Sequence, residues 1–242
     1  MKENLIIKKY RGSIFLTQDI ASDDELIEKL SELLDINISQ AKVEEKTPQD
    51  LTGKEVVALK EWNYISPDNR LQINFQAQKI DVEQKVATEY SIESITSFVH
   101  LCIKIFVLIL KLNPQNISRL AIAPTFKFTG DINQFISKVN SFYSKNNFQG
   151  CQNDKLDFSQ VYRCSELLGN KMININYFSK FFVNNEFAIE EGKLKIIKEN
   201  LLNFDINTSV GNEYIFLQDD IREFFTKSPD FCNNFINYYF GE

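Results

Sequence analysis

The chain has 242 residues, 43% hydrophobic and 25% charged, the balance of a folded soluble protein and not of a disordered one. Its 27 basic and 33 acidic side chains give a formal net charge of −6, which argues against a general nucleic-acid or acidic-membrane binder while leaving room for a local basic patch. The 21 Phe and 9 Tyr, set against 8 Gly and 5 Pro, are expected of long regular elements around an aromatic-rich core.

The first segment, "NLIIKKYRGSIFLTQDI", has β-rich runs at Leu5 to Ile7 and Ile14 to Leu16, and predicts a strand that bends at Gly12. Within it Lys8, Lys9 and Arg11 stand among Tyr10 and Phe15 and resemble an RNA-recognition strand, although Ser13 and Ile14 occupy the places where an aromatic should follow the glycine. A solvated strand face accounts for the same residues. In "SDDELIEKLSELLDI", Ser22 suits an N-cap, Asp23, Asp24 and Glu25 fill the first turn, and Leu26, Leu30, Leu33 and Leu34 form a helical stripe. The polar stretch 38–53 reads as an irregular connection.

"EVVALKEWNYI" and "RLQINFQAQKIDVEQKV" predict an antiparallel meander, joined by the turn Ser66-Pro67-Asp68-Asn69 and turning again near Ala77. Ile80, Val82, Gln84 and Val86 face one way, and Asp81, Glu83 and Lys85 the other. A helix follows from Ser91 to Lys111 and ends at Asn113-Pro114. Its apolar run, 95–110, is shorter than the roughly 20 residues of a spanning helix and contains His100 and Lys104, so a core helix is expected and no membrane span.

The order of elements then repeats. "NISRLAIAPTFKF" predicts a strand and "DINQFISKVNSFY" a helix capped by Asp131, while "SQVYRCSELL", "KMININYFSKF" and "KLKIIKENLLNFDINT" predict three more strands. The chain finishes in "DDIREFFTK" and "SPDFCNNFINYYF", where Ser228 and Pro229 suit the N-cap and first position of a new helical segment. The expected fold class is α+β. Two similar β-α-β-β-β-α halves, residues 1–115 and 116–242, have antiparallel sheets packed by long helices and form one compact unit.

"LQINFQAQKID", "EYSIESITSFVHLCIKIFVLIL", "ISRLAIAPTF" and "NFDINT" with the Phe-rich final helix resemble a sporadically distributed family of uncharacterised bacterial α+β proteins of about this length. That family carries an Arg-Leu pair on a central strand, here Arg119-Leu120, and an Asp-x-Asp-type motif on a late strand, here Asp205-Ile206-Asn207, which departs at its last position. The resemblance implies no chemistry; it implies a setting near mobile or antiviral-defence genes.

One constellation points to catalysis. A restriction-type nuclease places an Asp and a Glu-x-Lys on adjacent strands so that two carboxylates hold Mg²⁺ while the lysine positions water, and Asp68, Glu83 and Lys85 have that spacing. Glu-x-Lys nevertheless occurs three times in the chain, and Asp68 also suits turn chemistry alone. Cys102, Cys151, Cys164 and Cys232 are scattered without metal-ligand spacing and read as reduced thiols. The single histidine, His100, lies on the apolar helix away from Cys102, and no glycine-rich phosphate loop exists.

The terminal helix spaces Phe231, Phe235, Tyr238 and Tyr239 for either core packing or an exposed aromatic face that binds a partner or a second copy. The leading expectation is therefore a non-enzymatic cytoplasmic module without cofactor that binds another protein, as a component, immunity factor, antitoxin or inhibitor in a bacterial defence system. The competing expectation is the Mg²⁺-dependent nuclease built on Asp68, Glu83 and Lys85.

Overall fold

The computed structural model describes residues 4–20, 24–35, 39–46, 59–86, 94–131, 133, 158–190, 193–209 and 214–241. Its elements run β1 (Leu5–Leu16), α1 (Asp24–Leu34), β2 (Ser39–Lys46), β3 (Leu59–Ile65), β4 (Leu71–Gln76), β5 (Lys79–Lys85), α2 (Ser94–Leu112), β6 (Ile117–Phe128), β7 (Phe158–Leu168), β8 (Lys171–Glu190), β9 (Lys193–Thr208) and α3 (Gln218–Phe240). The fold is mixed α+β. All nine strands join one sheet in the order β2-β3-β4-β5-β1-β6-β9-β8-β7, and every neighbouring pair is antiparallel. Strands from residues 1–115 and 116–242 meet at its centre, where β1 pairs with β6.

The alternation read from the sequence sets one side of this sheet against the helices. Leu71, Ile73 and Phe75 of β4 and Ile80 and Val82 of β5 are buried, and they share one core with Phe98, Cys102, Ile105, Phe106 and Ile109 of α2. Residues Ile95–Leu112 are long and apolar enough to cross a membrane by length and composition. In α1, Leu26 and Leu30 are fully buried and Leu34 half-buried, whereas Leu33 is exposed. Burying a Leu, Ile or Phe side chain contributes about 1.5–3 kcal/mol, so these alternating positions supply the main drive for the fold.

Three expectations change. The polar stretch after α1 contains a strand, β2, which pairs with β3 at the edge of the sheet. Edge strands tolerate charged sequence because one side of their ladder stays unpaired, so "SQAKVEEK" carries no apolar signal. Gly12 does not bend β1. Its partners Val82 and Ile122 lie in unbroken register, and the irregularities fall between Ile7 and Lys9 and between Phe15 and Leu16. The third correction concerns the C-terminus, where one 23-residue helix, α3, replaces the two expected segments and carries Pro229 in its interior. Proline removes one backbone donor there, and the Ser228 hydroxyl donates to the Phe224 carbonyl at 2.8 Å instead of capping a new helix. Phe224, Phe225, Phe231, Cys232, Phe235 and Tyr239 keep a continuous buried stripe on both sides of the proline, which outweighs the lost hydrogen bond.

Ser22, Asp23 and Cys151 lie outside the described residues, as does nearly all of the helix expected at 131–143. Asp131 is described, and its Oδ1 accepts the Asn133 amide at 2.8 Å.

Candidate functional site

Strand alternation fixes which way each side chain on β1 points. Tyr10 stacks on Phe98 of α2 with ring centroids 5.1 Å apart, and Gly12 lies against Cys102 of α2 and Phe225 of α3. Tyr10, Gly12 and Ile14 therefore face the helices. Lys9, Arg11, Ser13 and Phe15 face the opposite way, and the strand register carries that assignment across the sheet. α2 and α3 pack on the first face, against Tyr10, Gly12 and Tyr177.

The middle row of the opposite face reads Asn63, Asn74, Asp81, Ser13, Ala121, Asn207, Asn176 and Arg163, one residue from each of β3, β4, β5, β1, β6, β9, β8 and β7. The row is knitted together. Ser13 Oγ donates to Asp81 at 2.5 Å, Arg163 Nε donates to Asn176 Oδ1 at 2.9 Å, and Asn176 donates to Asn207 at 3.2 Å. Asn207 in turn donates to Asp205 at 2.7 Å, whose carboxylate lies 3.8 Å from the Arg11 guanidinium, so one polar network runs from β7 to β1.

The rows beside it are cationic and aromatic. Phe15 lies between its partners Lys79 and Arg119, with the Arg119 guanidinium 4.8 Å and the Lys79 ammonium 5.4 Å from the ring centroid, the geometry of cation–π attraction. On the other side of the middle row, Glu83 faces Arg11 across β1, while Val161 and Asp205 flank Phe178. Beyond them Lys9, Thr125, Asn203 and Lys180 follow one another across β1, β6, β9 and β8, and Lys180 lies 5.6 Å from the Phe182 ring centroid. Burial pushes the Arg119 guanidinium down from its ordinary value, with the Asp205 charge opposing that shift. The Nε atoms of Arg11 and Arg119 are buried with no hydrogen-bond partner.

Glu199 anchors the far end of this face. Lys8 and Lys127 each reach Glu199 Oε1 at 3.0 Å, and the carboxylate side chain is only 5% exposed. Burial works to raise its pKa, but the two ammonium groups outweigh burial and hold it below the ordinary 4.5. A carboxylate depressed in the folded state stabilises fully above its unfolded value and loses that contribution as pH falls through the folded one. Glu199→Gln is therefore expected to cost about 1–3 kcal/mol near neutral pH. The deficit should shrink as the pH drops below 4.5, as read by denaturant unfolding of both proteins across pH 3–7.

Two of the nuclease candidates, Asp68 and Glu83, are bonded to other residues. Asp68 accepts from Ser66 Oγ at 2.5 Å and from the Arg70 amide at 3.1 Å, and these bonds, the hydroxyl first, hold its carboxyl below the ordinary range. It lines a groove with Leu34, Gln84 and Leu101 on the helix side. Glu83 and Lys85 point to the face opposite α2 and α3, where Lys9 binds Glu83 at 3.2 Å, and the Lys85 amide donates to the Arg70 carbonyl at 2.8 Å beside the turn that holds Asp68. No group of three His, Cys, Asp or Glu among the described residues is placed to hold a metal ion.

The aromatic face expected on the last helix is mostly core. Phe231, Phe235 and Tyr239 are buried against Tyr177 and Phe204, because α3 lies on β8 and β9 with that stripe inward. Tyr238 is 47% exposed, and its hydroxyl lies 2.5 Å from that of Tyr162. Burial first, and then this contact, push the Tyr162 phenol up to about 12. Cys102 and Cys232 are buried free thiols, raised by burial, and Cys164 is exposed and free.

Sequence reasoning reached Lys8, Lys9, Arg11 and Phe15 but missed the amides. A usable signal existed: asparagine or aspartate recurs at every second position in "NIN" (174–176) and in "NFDIN" (203–207), where a half-buried strand would otherwise expose mixed polar residues. The Arg119 and Asp205-Ile206-Asn207 motifs carry side chains onto the same face. No family model and no curated protein matches this chain.

Proposed function

We propose that the protein is a non-enzymatic binding module whose ligand lies on the face of the sheet opposite α2 and α3. The observation that carries this reading is the polar network from Arg163 through Asn176, Asn207 and Asp205 to Arg11. It fixes donors and acceptors in a plane between phenylalanines and cations, an arrangement suited to holding a polar ligand.

We also infer that residues 1–115 and 116–242 are duplicated units. What supports this is the strand order: the first strand of each half, β1 or β6, lies at the centre, the last strand of each half, β5 or β9, pairs with it, and a long helix follows. In the defence setting implied by the family resemblance, such a module works in the cytoplasm as a component or regulator, consistent with its free thiols.

The test is affinity isolation from the native host with the wild-type chain, with Arg163→Glu combined with Lys180→Glu on the face, and with Lys111→Glu, an exposed lysine on the opposite side. Whatever is retained should be lost from the face variant alone, with thermal midpoints matched. Retention by all three, or by none, removes the reading.

A further inference from the structure

Resting on that reading, we infer that the ligand of the face opposite α2 and α3 is a nucleic-acid duplex, its phosphate chains on the flanking cations and its minor-groove base edges against the central amides. The charge of the face departs from that of the chain. Among the residues whose side chains the structure describes, Lys9, Arg11, Lys79, Lys85, Arg119, Lys127, Arg163 and Lys180 share this side with four carboxylates. Those four are already engaged: Asp81 by Lys79, Glu83 by Lys9, Asp205 by Arg11, and Glu199 by Lys8 and Lys127. A chain with net charge −6 thus gathers a positive field on one surface, the complement of a polyphosphate backbone.

The layout separates positioning from reading. Cations stand on β5 and β1 at one flank and on β8 and β7 at the other. From β5 to β8 is four interstrand steps, roughly 19 Å, broad enough for a groove about 6 Å wide and the two phosphate chains that border it. Between the flanks lie Ser13, Ala121 and Ala123, small enough to let a ligand approach, beside Asn203 and Asn207. The minor groove of A·T pairs presents acceptors only, and amide and guanidinium groups are the donors that read it.

The aromatic pattern favours a duplex over an unpaired strand. Proteins that hold single strands stack bases on exposed aromatic platforms, but Tyr10, Tyr64, Tyr162 and Tyr177 all point to the helix side. Phe15, Phe178 and Phe182 are half-buried on the opposite face, the residue type that minor-groove proteins wedge against base steps. The lysines, Ser13, Ala121 and Ala123 depart from the composition of protein interfaces, which are depleted in Lys, Ser and Ala, whereas the arginines and phenylalanines fit either kind of partner.

The experiment measures fluorescence-anisotropy titrations of 20-base-pair DNA duplexes, with the wild-type chain, the Arg163→Glu/Lys180→Glu variant and the Lys111→Glu control. A·T and I·C duplexes, which share a minor-groove pattern, should bind alike, and a G·C duplex about tenfold more weakly. The face variant should lose about tenfold in affinity or more and reduce the slope of log K against log salt by about 2; Lys111→Glu should bind as the wild type does. Absence of duplex binding at 50 mM salt, equal binding of the separated strands, or indifference to the face variant would overturn the duplex. If duplex binding fails but isolation from the host still yields a partner that depends on the face, the inference falls and the binding module stands. If both fail, both fall.

Discussion

Alanine at position 12 is expected to destabilise the fold by about 2–3 kcal/mol, although it adds one methyl group. A Cβ there would sit 2.6 Å from Cys102 Sγ and 3.2 Å from the Phe225 ring. The first distance is well inside van der Waals contact, and all three residues are buried at the junction of β1, α2 and α3. Gly12→Ala also gains a few tenths of a kcal/mol or more by restricting the unfolded chain, so the observed loss is net of that gain. Removing the obstructing sulfur tests the cause. Cys102→Ala alone should cost about 1 kcal/mol, but the double variant should be at least about 1 kcal/mol more stable than the sum of the single losses predicts, the mark of residues in contact. Strict additivity in denaturant midpoints, or an unchanged Gly12→Ala, would show that β1 and the helices do not approach this closely.

Phe204→Ala should have the larger effect, a loss of about 3–5 kcal/mol. The ring is fully buried and meets Phe235 at 4.5 Å, Phe126 at 5.6 Å and Tyr239 at 6.1 Å between centroids. It therefore ties β9 to β6 on one side and to α3 on the other, and its removal leaves a cavity those neighbours cannot fill without shifting both. Against a typical stability of 5–15 kcal/mol, such a loss brings the protein close to its unfolding threshold at growth temperature. Phe204→Leu, which keeps most of the volume, should lose only about 1–2 kcal/mol. A Phe204→Ala protein that unfolds at the wild-type urea midpoint would refute the placement of this ring.

How far the sequence carried depends on whether an element's signal was local. The apolar run of α2 and the alternation of β4 and β5 state their burial directly, since period and hydrophobicity are properties of neighbouring residues. β2 had no such signal, because an edge strand needs only a partner's backbone. Gly12 was recognisable as special, but its reason, a sulfur more than 85 residues away, is tertiary. The faces of β5 were read correctly, yet Asp81 could not be told from Glu83 until Ser13 was placed opposite it. The polar face was the least legible feature. Its asparagines come from β3, β4, β8 and β9 and meet only through the register, while the net charge of the whole chain says nothing of how charge is divided between faces.

The seam between β1 and β6 also bears on how the chain is made. β1 can pair with β5 as soon as residue 85 has been synthesised, but its other edge has no partner until residues 117–128 appear. At 5–20 residues per second, the hundred residues between Leu16 and Ile117 leave that edge open for about 5–20 s. During that interval the nascent first half displays an unsatisfied row of backbone donors and acceptors to any other nascent copy. The seam is also the most non-local pairing at the heart of the fold, so its closure is expected to be the slow, yield-determining step of biogenesis. Lys9 and Arg11 lie along that open edge, charged side chains of the kind by which edge strands resist pairing with another copy.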